Sequence, residues 1–199
     1  TNGAPYGSGG MTNFAEVFLE FNHYETDNYK RTLNISEGIS YVSYEHQGVK
    51  YFREYFASYP NNVLVIKLSA SEKEKISCRI SAVNPYLRSS NELLTKYGIA
   101  EAKENSIILS GTVPSFSLNY EGQIKVIHEG GKLIPNNENG LNEIRIIDAN
   151  TAVIIIATGT NYKLNDQVFL NDSTHLKLDR NVFPHKEETE TIANARNLG

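Results

Sequence analysis

The segment FAEVFLEF, residues 14–21, indicates the fold class of this chain. Its side chains fall into two alternating sets, one of Ala15, Val17, Leu19 and Phe21 and the other of Glu16, Phe18 and Glu20. Successive side chains of a β-strand point to opposite faces, so a period of two is typical of a strand with one buried face. We therefore predict a strand here.

The same alternation recurs in residues 76–82 and in residues 118–126, which are predicted to be half-buried strands. Residues 39–44 and 49–57 flank Gln47-Gly48, and this arrangement predicts a hairpin because glycine accepts the positive φ of tight β-turns.

More continuously apolar runs at residues 63–68 and 152–157 predict central strands that are covered on both faces. Turn-forming residues recur between all these segments. Many short strands with frequent turns predict an all-β chain that folds as a large antiparallel sandwich.

Two stretches do not follow the strand pattern. Residues 91–103 mix helix-favouring residues with Gly98, and we leave a loop and a short helix open there. Residues 184–197 predict a helix, since Pro184 suits its first turn and acidic residues follow. The apolar face of this helix is thin, so we expect it to lean on another surface, one beyond residue 199.

The overall composition excludes several classes of function. The 19 basic and 23 acidic residues give a net charge of −4, and no basic cluster is present that could bind nucleic acid or an anionic membrane. Cys78 is the only cysteine, which rules out an internal disulfide and favours a buried thiol. The longest apolar run, residues 152–157, is too short for a membrane span.

The sequence nominates no catalytic residue, no metal ligand and no cofactor. Its five histidines are never paired at the spacing that zinc sites use, and the Gly-rich opening lacks the features of a phosphate-binding loop. Glu16 and Glu20 share a strand face, but four residues place them roughly 13 Å apart. That separation exceeds the roughly 6.5 to 9.5 Å that inverting glycosidases use.

Five of the twelve tyrosines lie close together in residues 41–59. Tyrosine faces can stack on the apolar C–H surfaces of sugar rings, which would make this region a carbohydrate platform. Tyrosine is also a favoured strand residue, and we give packing within the sheet the greater weight. The identity of any carbohydrate-binding residues stays unknown at this point.

A resemblance to a known family is carried by YKRTLNI at residues 29–35, GVKYFREYFAS at residues 48–58 and PNNVLVIKL at residues 60–68. In order and spacing, these segments resemble the N-terminal β-sandwich domain of family 95 glycoside hydrolases. Weaker collinear matches extend to residues 157–162 and to the segment from residue 184. In that family, an N-terminal sandwich is followed by a linker helix and by an (α/α)6 barrel that carries the active site.

The resemblance implies three parts: a Gly-rich extended opening at residues 1–13, a β-sandwich domain at residues 14–183, and the start of a linker helix at residues 184–199. It also implies a non-catalytic accessory domain of an enzyme that hydrolyses terminal α-linked L-fucose, or a related sugar, with inversion. The expected partners are a downstream helical catalytic domain and an oligosaccharide, and the expected location is secreted or periplasmic. A stand-alone carbohydrate-binding or structural module is the alternative.

Overall fold

The computed structural model describes residues 13–84, 87, 90, 95–114, 117–162 and 178–196. Within these residues the chain forms twelve strands, one α-helix and a short 3-10 helix at Glu138–Gly140. The elements are β1 (Glu16–Glu20), β2 (Asp27–Asn34), β3 (Ile39–His46), β4 (Val49–Ser58), β5 (Val63–Ala70), β6 (Ile76–Val83), β7 (Tyr97–Lys103), β8 (Ser106–Val113), β9 (Leu118–Glu129), β10 (Lys132–Asn136), β11 (Glu143–Ala149), β12 (Thr151–Thr160) and α1 (His185–Arg196).

The strands form two sheets. The small sheet has the order β1-β6-β11-β10, and the large sheet has the order β2-β3-β4-β5-β12-β9-β8-β7. Every pairing between these strands is antiparallel. The prediction of an all-β antiparallel sandwich is confirmed. The predicted Gly-rich opening lies outside the described residues except for Asn13.

The main core lies between the two sheets. The apolar set of β6, which is Ile76, Cys78, Ile80 and Ala82, is buried there as its alternation predicted. The facing side chains come from the large sheet and include Ile66, Leu68, Ile124 and Ile154. The strand predicted at residues 152–157 is central, between β5 and β9, and has buried side chains on both faces.

The hairpin predicted around Gln47-Gly48 is confirmed. Strands β3 and β4 pair up to His46 and Val49, which leaves two residues for the turn. Gln47 has φ of 50° and Gly48 has φ of 81°. Two successive positive φ values are the geometry of the tight turn that matches the twist of the flanking strands.

The prediction of a loop or short helix within residues 91–103 is wrong where the structure describes that stretch. Residues 97–103 form strand β7, which pairs with β8 across a turn at Glu104. Gly98 stands opposite Gly111, and the hydroxyl of Tyr120 lies close to both. Any Cβ at either glycine would overlap its neighbours, so this edge of the sheet needs glycine for packing rather than for a helix end.

The C-terminal helix is confirmed over His185–Arg196, so it begins one residue later than predicted, and its predicted end at Asn197 lies outside the described residues. Pro184 precedes it, and the Pro184 carbonyl accepts a hydrogen bond from Glu188 N at 3.0 Å. Pro184 therefore stands at the cap rather than in the first turn. The helix leans on the outer face of the large sheet, where Ile192 packs with Val63, Ile155 and Ala157. The surface that we expected beyond residue 199 is thus supplied by the chain itself.

This helix changes the environment of β9. The alternation in residues 118–126 predicted one solvated face, but Asn119, Glu121 and Gln123 on that face are 3%, 5% and 7% exposed. The half-buried prediction for β9 is therefore wrong. The local pattern records side-chain polarity, whereas burial here comes from residues 178–196, which are distant in sequence.

Candidate functional site

A cleft in the described part of the chain lies where β1, β2 and the segment between them meet β3, β4, β6 and β11. Its volume is ≈ 800 Å³. Aromatic and basic side chains line it, among them Phe21, His23, Tyr24, Tyr29, Tyr44, Arg53, Arg79 and Arg145. This size is within the usual range of small-molecule sites.

A stack of aromatic rings forms one wall of the cleft region. The ring of His23 lies 4.5 Å from His46 and 4.3 Å from Tyr51, and Tyr51 stacks on Tyr44 at 5.3 Å between centroids. Tyr44 and Tyr51 are buried, while His23 comes from the segment after β1. The stack therefore holds this segment against the β3–β4 hairpin.

Arg53 on β4 is the central cation of the cleft. Its Nη2 donates to the Tyr44 hydroxyl at 3.0 Å, and its guanidinium lies 4.1 Å from the centroid of Phe21. The Tyr55 hydroxyl is near enough to help raise the pKa of Arg53. The Nε atom is buried and has no hydrogen-bond partner among the described residues. A guanidinium carries five donors, so this arrangement leaves part of its capacity unused.

The protonation state of His23 follows from its neighbours. The Tyr44 hydroxyl oxygen accepts a hydrogen bond from Arg53 and lies 2.7 Å from His23 Nδ1. The hydroxyl can therefore donate its own proton to Nδ1 when the imidazole is neutral. Burial first, then the neighbouring His46, then the positive Arg53 lower the pKa of His23 below its usual value. The neutral form of His23 is thus the one that fits the native cleft.

A second charged group borders the cleft on the small sheet. Glu143 is fully buried, and its carboxylate lies 2.7 Å from Arg145 Nη2 and 3.4 Å from Arg79 Nε. Arg79 also pairs with Glu20 at 2.6 Å. Burial acts to raise the pKa of Glu143, but hydrogen bonds from Asn136 and Arg145 and the charges of both arginines outweigh it, so the pKa is lowered.

A separate polar network joins helix α1 to the large sheet. Glu121 accepts hydrogen bonds from Gln123 at 2.7 Å and from His185 Nδ1 at 2.7 Å, and Gln123 donates to Thr189 at 2.9 Å. Glu188 is 3% exposed and lies over Gly159 of β12, where a Cβ would overlap its carboxylate. This network positions the helix rather than forming an open site.

The residues considered from sequence are placed as follows. Glu16 and Glu20 lie exposed along β1, with Glu20 engaged by Arg79. The tyrosine group divides, since Tyr44 and Tyr51 are buried and Tyr59 is 96% exposed. His23 and His46 meet although 23 positions separate them. Sequence analysis missed this cleft, because its members come from six strands, three in each sheet, and only strand pairing together with the packing of the two sheets brings them together.

The described residues contain no group of three or more His, Cys, Asp or Glu side chains arranged to hold a metal ion. Over the same residues, no helix has both the length and the apolar character to cross a membrane.

Residues 2–165 match the family described as glycosyl hydrolase family 65, N-terminal domain. The chain is 23% identical to alpha-L-fucosidase 2 from Arabidopsis thaliana over 203 residues, which cover 91% of this chain and 22% of the fucosidase. Among solved structures it is similar to a putative kojibiose phosphorylase from the human microbiome, with a TM-score of 0.50 and 10% identity over 92% of this chain and 24% of that chain. The chain thus spans less than a quarter of the length of either protein.

Proposed function

This chain belongs to the family of glycosyl hydrolase family 65 N-terminal domains, and on that premise we propose that it is the non-catalytic accessory domain of a larger carbohydrate-active enzyme. The observation that carries this proposal is the extent of the family match, since residues 2–165 contain all twelve strands of the described structure. The expectation of an N-terminal domain related to glycoside hydrolases is confirmed in this general form.

The docked helix supports the same role. Helix α1 follows the sandwich and packs on the outer face of the large sheet through Ile192 and the buried Glu188. A helix held in this way has a defined direction relative to the sheets. We propose that it leads into a helical catalytic domain of the same polypeptide, which would be the principal partner of this domain.

For the parent enzyme we propose hydrolysis of terminal α-linked L-fucose, or of a related sugar, with inversion. The similarity of residues 29–68 to family 95 and the 23% identity to a plant alpha-L-fucosidase support this choice. Inversion needs a proton donor and a water-activating carboxylate on opposite sides of the anomeric carbon. We place both groups on the downstream domain and propose a secreted or periplasmic enzyme.

The test compares two polypeptides on a fucosylated oligosaccharide. The 199-residue chain should release no fucose above background, whereas a polypeptide that continues through the downstream domain should release fucose, first as the β-anomer. Turnover by the 199-residue chain alone would refute the accessory role. Release of glucose 1-phosphate from kojibiose and phosphate by the longer polypeptide, without release of fucose, would refute the fucosidase assignment and leave the accessory role standing.

A further inference from the structure

We propose that the cleft around Arg53 is a binding site for a saccharide that carries a carboxylate group. This inference concerns the sandwich itself and does not require the parent enzyme to be a fucosidase. It rests on three properties of the cleft: a cation that has no carboxylate partner among the described residues, a net positive charge, and exposed aromatic rings at the cleft wall.

The first property is the state of Arg53. The other two arginines of the cleft are already paired, Arg79 with Glu20 and Glu143, and Arg145 with Glu143. Among the described residues, by contrast, Arg53 has no carboxylate within salt-bridge distance, and its guanidinium donates a hydrogen bond to the Tyr44 hydroxyl. A partly buried guanidinium gains most from a carboxylate, whose two oxygens match its planar fork.

The second property is the charge balance. The three arginines Arg53, Arg79 and Arg145 meet the two carboxylates Glu20 and Glu143, so this group carries one positive charge more than negative. For His23, the histidine in the lining, burial and the neighbouring His46 and Arg53 lower the pKa, which favours the neutral form. A single negative charge on the ligand would balance the cleft, and this favours a monoanion over a neutral molecule.

The third property is the aromatic wall. Tyr24 is 89% exposed and Tyr29 is 60% exposed, and both line the cleft. Tyr29 lies in a β-bulge, because Asp27 and Lys30 pair with Glu45 and Ser43, leaving Asn28 and Tyr29 opposite the single residue Tyr44. Such bulges re-aim side chains. Exposed tyrosine faces beside polar groups suit a sugar ring, which has apolar C–H faces and hydroxyl edges.

These properties together select the ligand class. A simple anion such as acetate would use Arg53 but not the tyrosines, and a neutral sugar would use the tyrosines but leave the excess charge unbalanced. A uronic acid residue offers both a pyranose ring and one carboxylate. The ≈ 800 Å³ of the cleft can hold one or two such residues.

The test is titration of the 199-residue chain with glucuronate and with glucose, which is the matched neutral sugar. Binding is measured by NMR chemical-shift changes and by calorimetry. Galacturonate and galactose form a second pair, and acetate and inorganic phosphate serve as simple anions. We expect both uronates to bind at least tenfold more tightly than their neutral partners. The affinity should fall several-fold between 50 and 500 mM NaCl, because charge pairing contributes to it.

Variants locate the site. Tyr24→Ala combined with Tyr29→Ala should weaken glucuronate at least fivefold, whereas Tyr59→Ala, which removes an equally exposed tyrosine outside this cleft, should have no effect. Arg53→Lys keeps the charge but loses the planar fork, and it should weaken glucuronate at least tenfold. Since a change at Arg53 can also lower stability, the tyrosine variants, whose side chains are exposed, decide the question independently.

Three outcomes would overturn the proposal. Glucose that binds as tightly as glucuronate would show that the cleft does not recognise the carboxylate of the sugar. Acetate or phosphate that binds as tightly as glucuronate, with no effect of the tyrosine variants, would show an anion site without sugar recognition. A Tyr59→Ala variant that loses as much affinity as the paired cleft variant would place the ligand elsewhere.

Discussion

Replacement of Gly159 by alanine tests how helix α1 is held on the large sheet. Gly159 pairs with Glu121 in the sheet, and its φ does not lie in the left-handed region. The reason for glycine here is space, because a Cβ at this position would overlap the Glu188 carboxylate and come within 3.3 Å of Pro184 Cβ. Both of these groups are buried under the first turn of the helix.

The expected cost follows from two opposing terms. Insertion of a methyl group into a packed site costs about 1–3 kcal/mol. Replacement of glycine by alanine also restricts the unfolded chain, which returns about 0.4–1 kcal/mol. The net loss should therefore be about 1–2 kcal/mol, or about 2–8 °C in Tm for a chain of this size.

The assay is urea unfolding followed by circular dichroism, applied to a double-mutant cycle. In a Glu188→Ala background the overlap with the carboxylate is gone, so Gly159→Ala should become close to neutral and the coupling free energy should be about 1–2 kcal/mol. The matched control is Glu190→Ala, which removes a carboxylate on the same helix that is 64% exposed. Its effect should add to that of Gly159→Ala. An equal cost of Gly159→Ala in all three backgrounds would refute the packing argument.

Three further predictions concern titratable groups. The pKa of His23 is lowered in the folded state, so the unfolded chain binds a proton first as the pH falls, and the free energy of unfolding should drop below about pH 6.5. In urea titrations, His23→Asn should flatten this pH dependence, and the control His128→Asn should not. Glu143→Gln should lower the free energy of unfolding by about 1–3 kcal/mol, since it removes the buried charged partner of two arginines. This difference from the wild type should shrink as the pH falls below 4.5, because the wild-type carboxylate then becomes protonated and loses the stabilisation that its lowered pKa reflects. Burial raises the pKa of Cys78 to about 12, so the thiol should not react with a disulfide reagent at pH 8 in the native protein and should react fully in urea.

Each of these predictions has a contrary result. A stability curve that is flat between pH 7 and pH 5.5, or equally steep in both histidine variants, would show that His23 does not contribute. A Glu143→Gln variant as stable as the wild type would show that the arginines find other partners. Rapid modification of the native thiol would contradict the burial of Cys78.

The strands that sequence analysis located correctly are those whose burial is settled by local alternation. The β6 segment is an example, since every second side chain from Ile76 to Ala82 is buried and the large sheet covers only that face. The β3–β4 hairpin is another, because Gly48 supplies the turn within the segment itself. In both cases the side-chain alternation or the turn geometry involves only a few consecutive residues, so the local sequence pattern predicts the structure.

The segments that sequence analysis predicted wrongly depend on contacts with residues elsewhere in the chain. Strand β7 contains helix-favouring residues, but pairing with β8 supplies backbone hydrogen bonds that outweigh a weak local propensity. Strand β9 alternates as though one face were solvated, yet α1 and the segment before it cover that face. Polarity is local, whereas burial is decided by the complete fold.

The amino-acid sequence by itself determined the all-β class, the hairpin around Gly48, the C-terminal helix and the relation to glycoside hydrolase N-terminal domains. Only the tertiary structure decided that His23, Arg53 and Arg79 share one cleft and that no carboxylate of the described residues pairs with Arg53. The reason is the range of the interactions. Alternation and turn geometry act between neighbours in sequence. The cleft, in contrast, is made by the pairing that joins Glu20, Arg79 and Arg145 in the small sheet and by the packing of that sheet against the large sheet, which carries Arg53, and neither leaves a periodic signature along the chain.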